Sequence, residues 1–227
     1  MLPLLTLPAP ISPPIISRSG KTAHKSSSQI ERITDHVYRI GTALVDTKAL
    51  TFTCPGSINM DSGSVEYLAV TPNGKTYESL LRLDVNPYYL QVGLLLLGCK
   101  PRNVLLHQGD PRAPQGSPVK ILIRWREADG EERTVRAESL LMEATTRNSM
   151  PLHPWVFTGS RIVRAGFEAE LSGSLVAVWH DPASILDNPM ANIQNDWVVN
   201  PKRCPPRGTS IRFLIQAIPH TLARKGK

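Results

Sequence analysis

Cysteine is scarce in this chain, three residues in 227, and Cys54, Cys99 and Cys204 stand in no C-x-x-C spacing. That excludes a disulfide-dense scaffold. It also argues against an iron–sulfur cluster or a structural zinc, which need four closely organised ligands. The odd set leaves either one disulfide with a free thiol or three unpaired core thiols, and the tendency of free cysteine to be buried favours the second. Long apolar runs are missing too. Residues 1–16 are broken by Pro3, Pro8, Pro10, Pro13 and Pro14, and Tyr88–Leu97 is about half of the roughly 20 residues a spanning helix needs. No basic residue precedes Arg18, so the positive n-region of a signal peptide is absent.

Catalytic signatures are also lacking. The sequence holds no G-x-S-x-G, no G-x-G-x-x-G and no H-E-x-x-H or H-x-x-x-H pair, and Gly74-Lys75-Thr76 lacks the earlier glycine of a P-loop. These absences speak against nucleotide-dependent chemistry and a helical metal site, and no cofactor is expected.

What is present is a β pattern. From Ile30 onward short β-type runs alternate with turn residues. Strands are expected over 36–45 and 48–53, with a turn at Cys54-Pro55-Gly56. Ser64–Thr71 and Lys75–Leu83 flank Asn73-Gly74 and predict a tight hairpin. Asn86-Pro87 supplies an N-cap and a first-turn proline for a core helix near 87–97 that ends at Gly98. Val119–Arg126 and Glu132–Glu138 pair around Asp129-Gly130, with Ile121, Ile123 and Trp125 on one face and Lys120 and Arg124 on the other. Runs at 155–158, 166–171, 175–180 and 210–218 continue the strands, and Asp181-Pro182 predicts a short helical turn near 182–188. The fold class is therefore α+β, mostly β and antiparallel. Residues 1–29 read as a disordered Pro/Ser-rich leader, 30–218 as the β-rich region and 219–227 as a basic tail. The proline-rich loop 108–118 either separates two subdomains or is a long functional loop.

The formal charge of +7 is local. Lys202, Arg203, Arg207, Arg212, Arg224, Lys225 and Lys227 occur without any acid after residue 200, so the first 200 residues are balanced. A nucleic-acid binder would carry a basic patch interleaved with aromatics on its folded surface, and aromatics are only 6% of this chain. Nucleic acid is thus disfavoured as a partner, while the tail can still contact an anionic surface.

Candidate chemistry is confined to a few residues. Under the hairpin register Glu66 and Glu78 point to opposite faces and do not form an acid/base pair. His180-Asp181, with Asp187, can hold a base and its orienting acid, although Asp181 before Pro182 also serves as a cap. Ser160 after Thr158-Gly159 is a weak nucleophile candidate. Three readings follow. The leading one is a non-catalytic domain binding a small ligand or protein partner through Lys75, Tyr77, Glu78, Ser79, Trp155 and Ser160. The second is a metal-assisted or acid/base enzyme using Glu78, His153, His180 and Asp181. The third is a structural interaction module.

The same residues resemble the YdjY-type family of bacterial proteins. The resemblance is carried by Pro55-Gly56 with Ile58-Asn59, by Gly63-Ser64-Val65-Glu66-Tyr67 and by the run Gly74-Lys75-Thr76-Tyr77-Glu78-Ser79-Leu80-Leu81. It continues through Leu94–Gly98, Trp155–Ser160, Asp181–Pro189 and Pro205–Thr209, spanning roughly residues 50–215. Tyr77 stands where the family favours histidine. The resemblance implies an exported protein of the bacterial envelope, periplasmic or secreted, and it brings no established activity.

Overall fold

Three rows of side chains set the interior. Phe52, Ile215 and Ile121 lie side by side across three neighbouring strands, then Cys54, Phe213 and Ile123, then Gly56, Ile211 and Trp125. The intervening residues Lys120, Arg124, Arg126 and Arg212 face outward, so the period-two alternation of the sequence is the inside and outside of a sheet. The computed structural model describes residues 30–191 and 196–219; the expected leader and residues 220–227 of the expected tail lie outside the described residues.

In chain order the strands are β1 (Ile30–Arg32), β2 (Val37–Ile40), β3 (Ala43–Asp46), β4 (Thr51–Ile58), β5 (Tyr67–Val70), β6 (Ser79–Leu83), β7 (Pro101–Arg102), β8 (Gln115–Arg126) and β9 (Glu132–Arg136). They continue as β10 (Leu141–Glu143), β11 (Trp155–Phe157), β12 (Ile162–Val163), β13 (Gly166–Phe167), β14 (Ser174–Ala177), β15 (Leu186–Asp187), β16 (Trp197–Val199) and β17 (Ser210–Ala217). The helices are α1 (Pro87–Leu96) and α2 (Glu168–Ser172), with 3-10 turns at Thr76–Glu78 and Ala137–Leu140. Strands β4, β17, β8, β11, β15, β14, β5 and β6 stand in that order, and β6 pairs back onto β4, closing a barrel. Closure removes the exposed edges that an open sheet would present. The expected 108–118 loop is shorter, since residues 115–118 already belong to β8, and strands from both sides of it contribute to this one ring.

The fold is mostly β with antiparallel strands, as the alternation implies, and α1 forms where Asn86 and Pro87 predict it. The Asn86 side chain accepts from the Tyr88 amide at 2.8 Å, and the helix closes with the Cys99 amide on the Leu94 carbonyl. Leu90 and Leu94 are buried, whereas Leu95 and Leu96 are 46% and 45% exposed, so only one face of this leucine-rich helix covers the sheet. The β8–β9 hairpin also forms around Asp129-Gly130. No helix among the described residues is long and apolar enough to cross a membrane.

Four local expectations are corrected. Cys54-Pro55-Gly56 is no turn but the middle of β4. One edge of β4 faces β17 throughout; the other faces β3 as far as Thr53 and β6 from Gly56 onward. Pro55 sits at that change of partner, where its missing N–H interrupts no ladder, and its carbonyl accepts from the Asp84 amide at 3.0 Å. Second, Asn73-Gly74 makes no hairpin: β5 and β6 run parallel. Gly74 is required for close approach rather than for a positive φ, since a Cβ there would lie 2.9 Å from the Gly173 carbonyl oxygen and 2.8 Å from the Val70 Cβ. Third, the 182–188 segment is a turn followed by strand β15, not a helical turn, because Leu186 pairs with both Phe157 and Val176. Fourth, only Gly166 and Phe167 of the 166–171 run are strand; α2 takes the remainder.

Gly93 tests the packing of α1. Alanine normally favours a helix over glycine by about 1 kcal/mol, but a Cβ on Gly93 would come within 2.4 Å of the Phe52 ring and 3.3 Å of Val45. Gly93→Ala is therefore expected to destabilise the protein by about 1–3 kcal/mol. The effect should be read as a lower urea midpoint at unchanged slope.

Candidate functional site

The start of β5, the start of β6 and the chain leaving β14 meet through one residue. The Glu66 amide donates to the Glu78 carbonyl at 2.9 Å, and the Glu66 carbonyl accepts from the amides of Val178 and Trp179 at 2.8 and 2.9 Å. The 107–110 loop joins them, with the Gly109 amide on the His180 carbonyl at 2.8 Å. Polar side chains from all four segments gather here.

Tyr67 is their centre. Its hydroxyl donates to Asp181 Oδ2 at 2.9 Å, and Gln108 Nε2 donates to Glu66 Oε2 at 2.9 Å and to the Tyr67 hydroxyl at 3.3 Å. Lys75 Nζ lies 5.4 Å from the Tyr67 ring centroid and pairs with Glu78 Oε1 at 3.1 Å. Burial, then the Asp181 carboxylate, pushes the Tyr67 phenol above its usual range and keeps it protonated. For Lys75 burial opposes the charge, but the hydrogen bond and charge of Glu78, followed by Glu66, outweigh it and raise the ammonium. Glu78 thus pairs with Lys75, and the charge of Glu66 acts on the same ammonium. The expected separation of the two acids rested on the hairpin register, which the parallel pairing of β5 and β6 replaces.

His180 and Asp187 lie deeper and are fully buried. The ring Nε2 faces the Met190 carbonyl at 2.8 Å and so carries a hydrogen, because a carbonyl only accepts. Nδ1 stands 2.6 Å from Asp187 Oδ1, and Asp187 Oδ2 accepts from the Asp181 amide at 3.1 Å. A hydrogen must also lie between Nδ1 and Oδ1, since otherwise two lone pairs would face each other. Burial works against the imidazolium, but the hydrogen bond and charge of Asp187 outweigh it and raise His180. Both ring nitrogens are therefore occupied, leaving no lone pair for a general base.

The remaining residues of the catalytic reading divide. Glu78, Asp181 and His180 are linked through Lys75, Tyr67 and Asp187. His153 belongs elsewhere: its amide donates to Glu138 Oε1 at 3.3 Å, its carbonyl accepts from Arg136 Nη2 at 2.6 Å, and burial lowers its imidazole. No group of three or more His, Cys, Asp or Glu among the described residues could hold a metal ion. Cys54, Cys99 and Cys204 are unpaired, and burial lifts every thiol, Cys99 to about 11 and Cys204 to about 12.

The residues of the binding reading divide as well. Trp155 is fully buried in the barrel wall. Ser160 donates to the Ala183 carbonyl at 2.6 Å and accepts from the Ala169 amide at 3.0 Å, pinning α2 to the 181–184 turn. The 75–79 run is different. Asn59 Nδ2 donates to the carbonyls of Thr76 and Ser79 at 2.6 and 2.7 Å, and Ser79 Oγ donates to the Lys75 carbonyl at 2.6 Å. This clamped turn holds Tyr77 73% exposed beside a cleft of about 420 Å³ lined also by Asn59, Asp61, Ser62 and Arg207.

Sequence reasoning missed Tyr67, Gln108 and the Asp110–Arg112 pair. Asp110 is 2% exposed, and the Arg112 guanidinium, with the Leu106 and Arg112 amides, holds its carboxyl far below the usual range. The Asp-Pro-Arg sequence inside a long loop was the available signal.

Among known proteins, the family model described as the YdjY domain matches residues 43–216. The comparisons with curated proteins and with solved structures gave no match.

The buried pair makes a pH prediction. The folded value of His180 lies above its ordinary 6.5, so its own contribution is fully present below pH 6.5 and is lost as pH rises through the folded value, while burial also raises Asp187, to about 6, so that the pair's contribution already begins to fall below pH 6.5. Melting temperature should therefore fall on the alkaline side of pH 6.5. Asp187→Asn should remove this slope and cost about 3 kcal/mol near neutral pH, because one partner of a buried pair is lost. An unchanged slope in that variant would exclude the pair as its source.

Proposed function

The chain belongs to the YdjY domain family, and on that premise we propose that it is a non-catalytic binding domain whose ligand or partner docks on the 75–79 turn. The observation that carries this reading is Tyr77, an aromatic ring 73% exposed on a turn whose backbone is clamped by Asn59 and Ser79. Exposing a large ring costs solvation, and ordering it beforehand reduces the entropy lost when a ligand stacks on it. The adjoining cleft adds Arg207, Asp61 and Ser62 as polar groups of both signs, in a volume suited to a small polar molecule or a peptide side chain.

The Lys75–Glu78 ion pair joins the residues at either end of the turn that carries Tyr77. In this reading Lys75 and Ser79 position the turn, whereas Tyr77 makes the contact. Trp155 and Ser160 support the interior. The polar network round Tyr67 fits the same view, since its hydrogen bonds are made within the chain and a general base needs a free lone pair. Location in the bacterial envelope belongs to this proposal and rests on the family resemblance alone.

Tyr77→Ala should leave stability within about 0.5 kcal/mol, as for an exposed site, whereas Trp155→Ala should cost about 3–5 kcal/mol. In an amide-resolved NMR screen of aromatic and saccharide fragments, shifts should concentrate at residues 59–62, 76–78 and 207 and vanish in Tyr77→Ala. Shifts confined to other surfaces, or none at all, would refute the site.

A further inference from the structure

A second surface, separate from the Tyr77 turn, gathers positive charge and neutralises only part of it. After β16 the Asn200 side chain accepts from the Lys202 amide at 3.2 Å, and the Asn200 carbonyl accepts from the amides of Arg203 and Cys204 at 3.1 and 2.9 Å. The resulting turn holds Lys202 and Arg203 between two cavities. One, of about 630 Å³, reaches the β8–β9 hairpin at Trp125, Arg133 and the Glu127 carboxylate. The other, of about 350 Å³, reaches Arg147 on the turn that follows β10.

Among the described residues Lys202, Arg203 and Arg147 have no ion-pair partner, and Arg133 is paired with Glu127 at 2.9 Å. One further observation points to a ligand. Arg147 has φ +62, a left-handed conformation that glycine or asparagine adopts more easily, yet the position carries a long cation that lines the smaller cavity. Trp125, 6% exposed, lines the larger cavity together with Val135.

We propose that the two cavities flanking the Lys202–Arg203 turn bind one small multivalent oxyanion, carrying at least two phosphate or carboxylate groups, with one group in each cavity. Lys202 and Arg203 lie at the shared rim and contact both groups. Arg147 reaches the group in the smaller cavity, and the larger cavity receives the other over Trp125. Cavities of this size suit a small molecule rather than a nucleic-acid duplex. A single-charged or compact ion fills one cavity only and loses half of the charge-assisted contacts.

The test is calorimetric titration of the full chain at low salt with inorganic tripolyphosphate, citrate and orthophosphate. Tripolyphosphate and citrate should bind one per chain, about tenfold or more tighter than orthophosphate. K202Q/R203Q should lose about tenfold or more in tripolyphosphate affinity. Arg147→Gly should hold or raise the melting temperature while weakening binding, which separates a ligand contact from a structural role. R224Q/K225Q/K227Q should bind as the parent does. Equal affinities for tripolyphosphate and orthophosphate, no saturable binding, or binding that depends on the 224–227 cations and survives K202Q/R203Q would overturn the proposal. Binding to phosphatidylglycerol vesicles without tripolyphosphate binding would also overturn it, assigning these cations to a membrane surface.

Discussion

The edge of β4 that faces away from β17 changes partner in mid-strand, from β3 to β6, and the barrel is closed by that change. A strand that serves two partners along one edge needs a residue at the junction that demands no hydrogen bond from either. Pro55 meets that need, since it has no N–H to leave unsatisfied. Gly56 follows it because β6 approaches too closely for a side chain: a Cβ would lie 2.8 Å from the Arg82 carbonyl oxygen. The Pro-Gly pair that ordinarily marks a turn thus marks the seam of the barrel.

Closing the seam dictates what lies above it. For β6 to enter between β4 and β5 and run parallel to β5, the chain must travel back across the barrel between Thr71 and Glu78. It does so along Gly173, the Thr71 amide donating to the Gly173 carbonyl at 2.9 Å. The crossover ends in the 3-10 turn that exposes Tyr77 and turns Lys75 and Glu78 toward Tyr67. The aromatic platform and the polar network behind it are therefore consequences of one connection. The network supplies rigidity in return. Asp181, Gln108 and Glu66 tie the crossover to the 107–110 loop and to the chain leaving β14, and the buried His180–Asp187 pair anchors that chain to β15.

What could be read from the sequence depended on whether the signal was local. The cap at Asn86-Pro87 and the alternation from Val119 to Arg126 need only neighbours, and both formed as expected. The charge balance was equally legible: Arg124 pairs with Glu132 and Arg133 with Glu127, leaving Lys202 and Arg203 without partners. Signals with two physical meanings failed. Asn-Gly at 73–74 reads as a hairpin when glycine supplies a positive φ, but here glycine supplies room for another backbone. The Gly166–Leu171 run was too short to separate strand from helix by period. Trp155 and Ser160 were chemically suggestive but structurally interior, because burial depends on partners distant in sequence, as Val119 and Ala183 are. Of the Tyr77 turn, the residues were legible and the clamp by Asn59 was not.

A parallel crossover closes the barrel and thereby presents Tyr77. Interstrand NOEs measure it directly. Backbone contacts are expected between Gly56 and Leu83 and between Ala69 and Leu81, the registers of β4 with β6 and of β5 with β6. Contacts joining Ala69 to Glu78 and Glu66 to Leu81, the register of a hairpin at Asn73-Gly74, would contradict it.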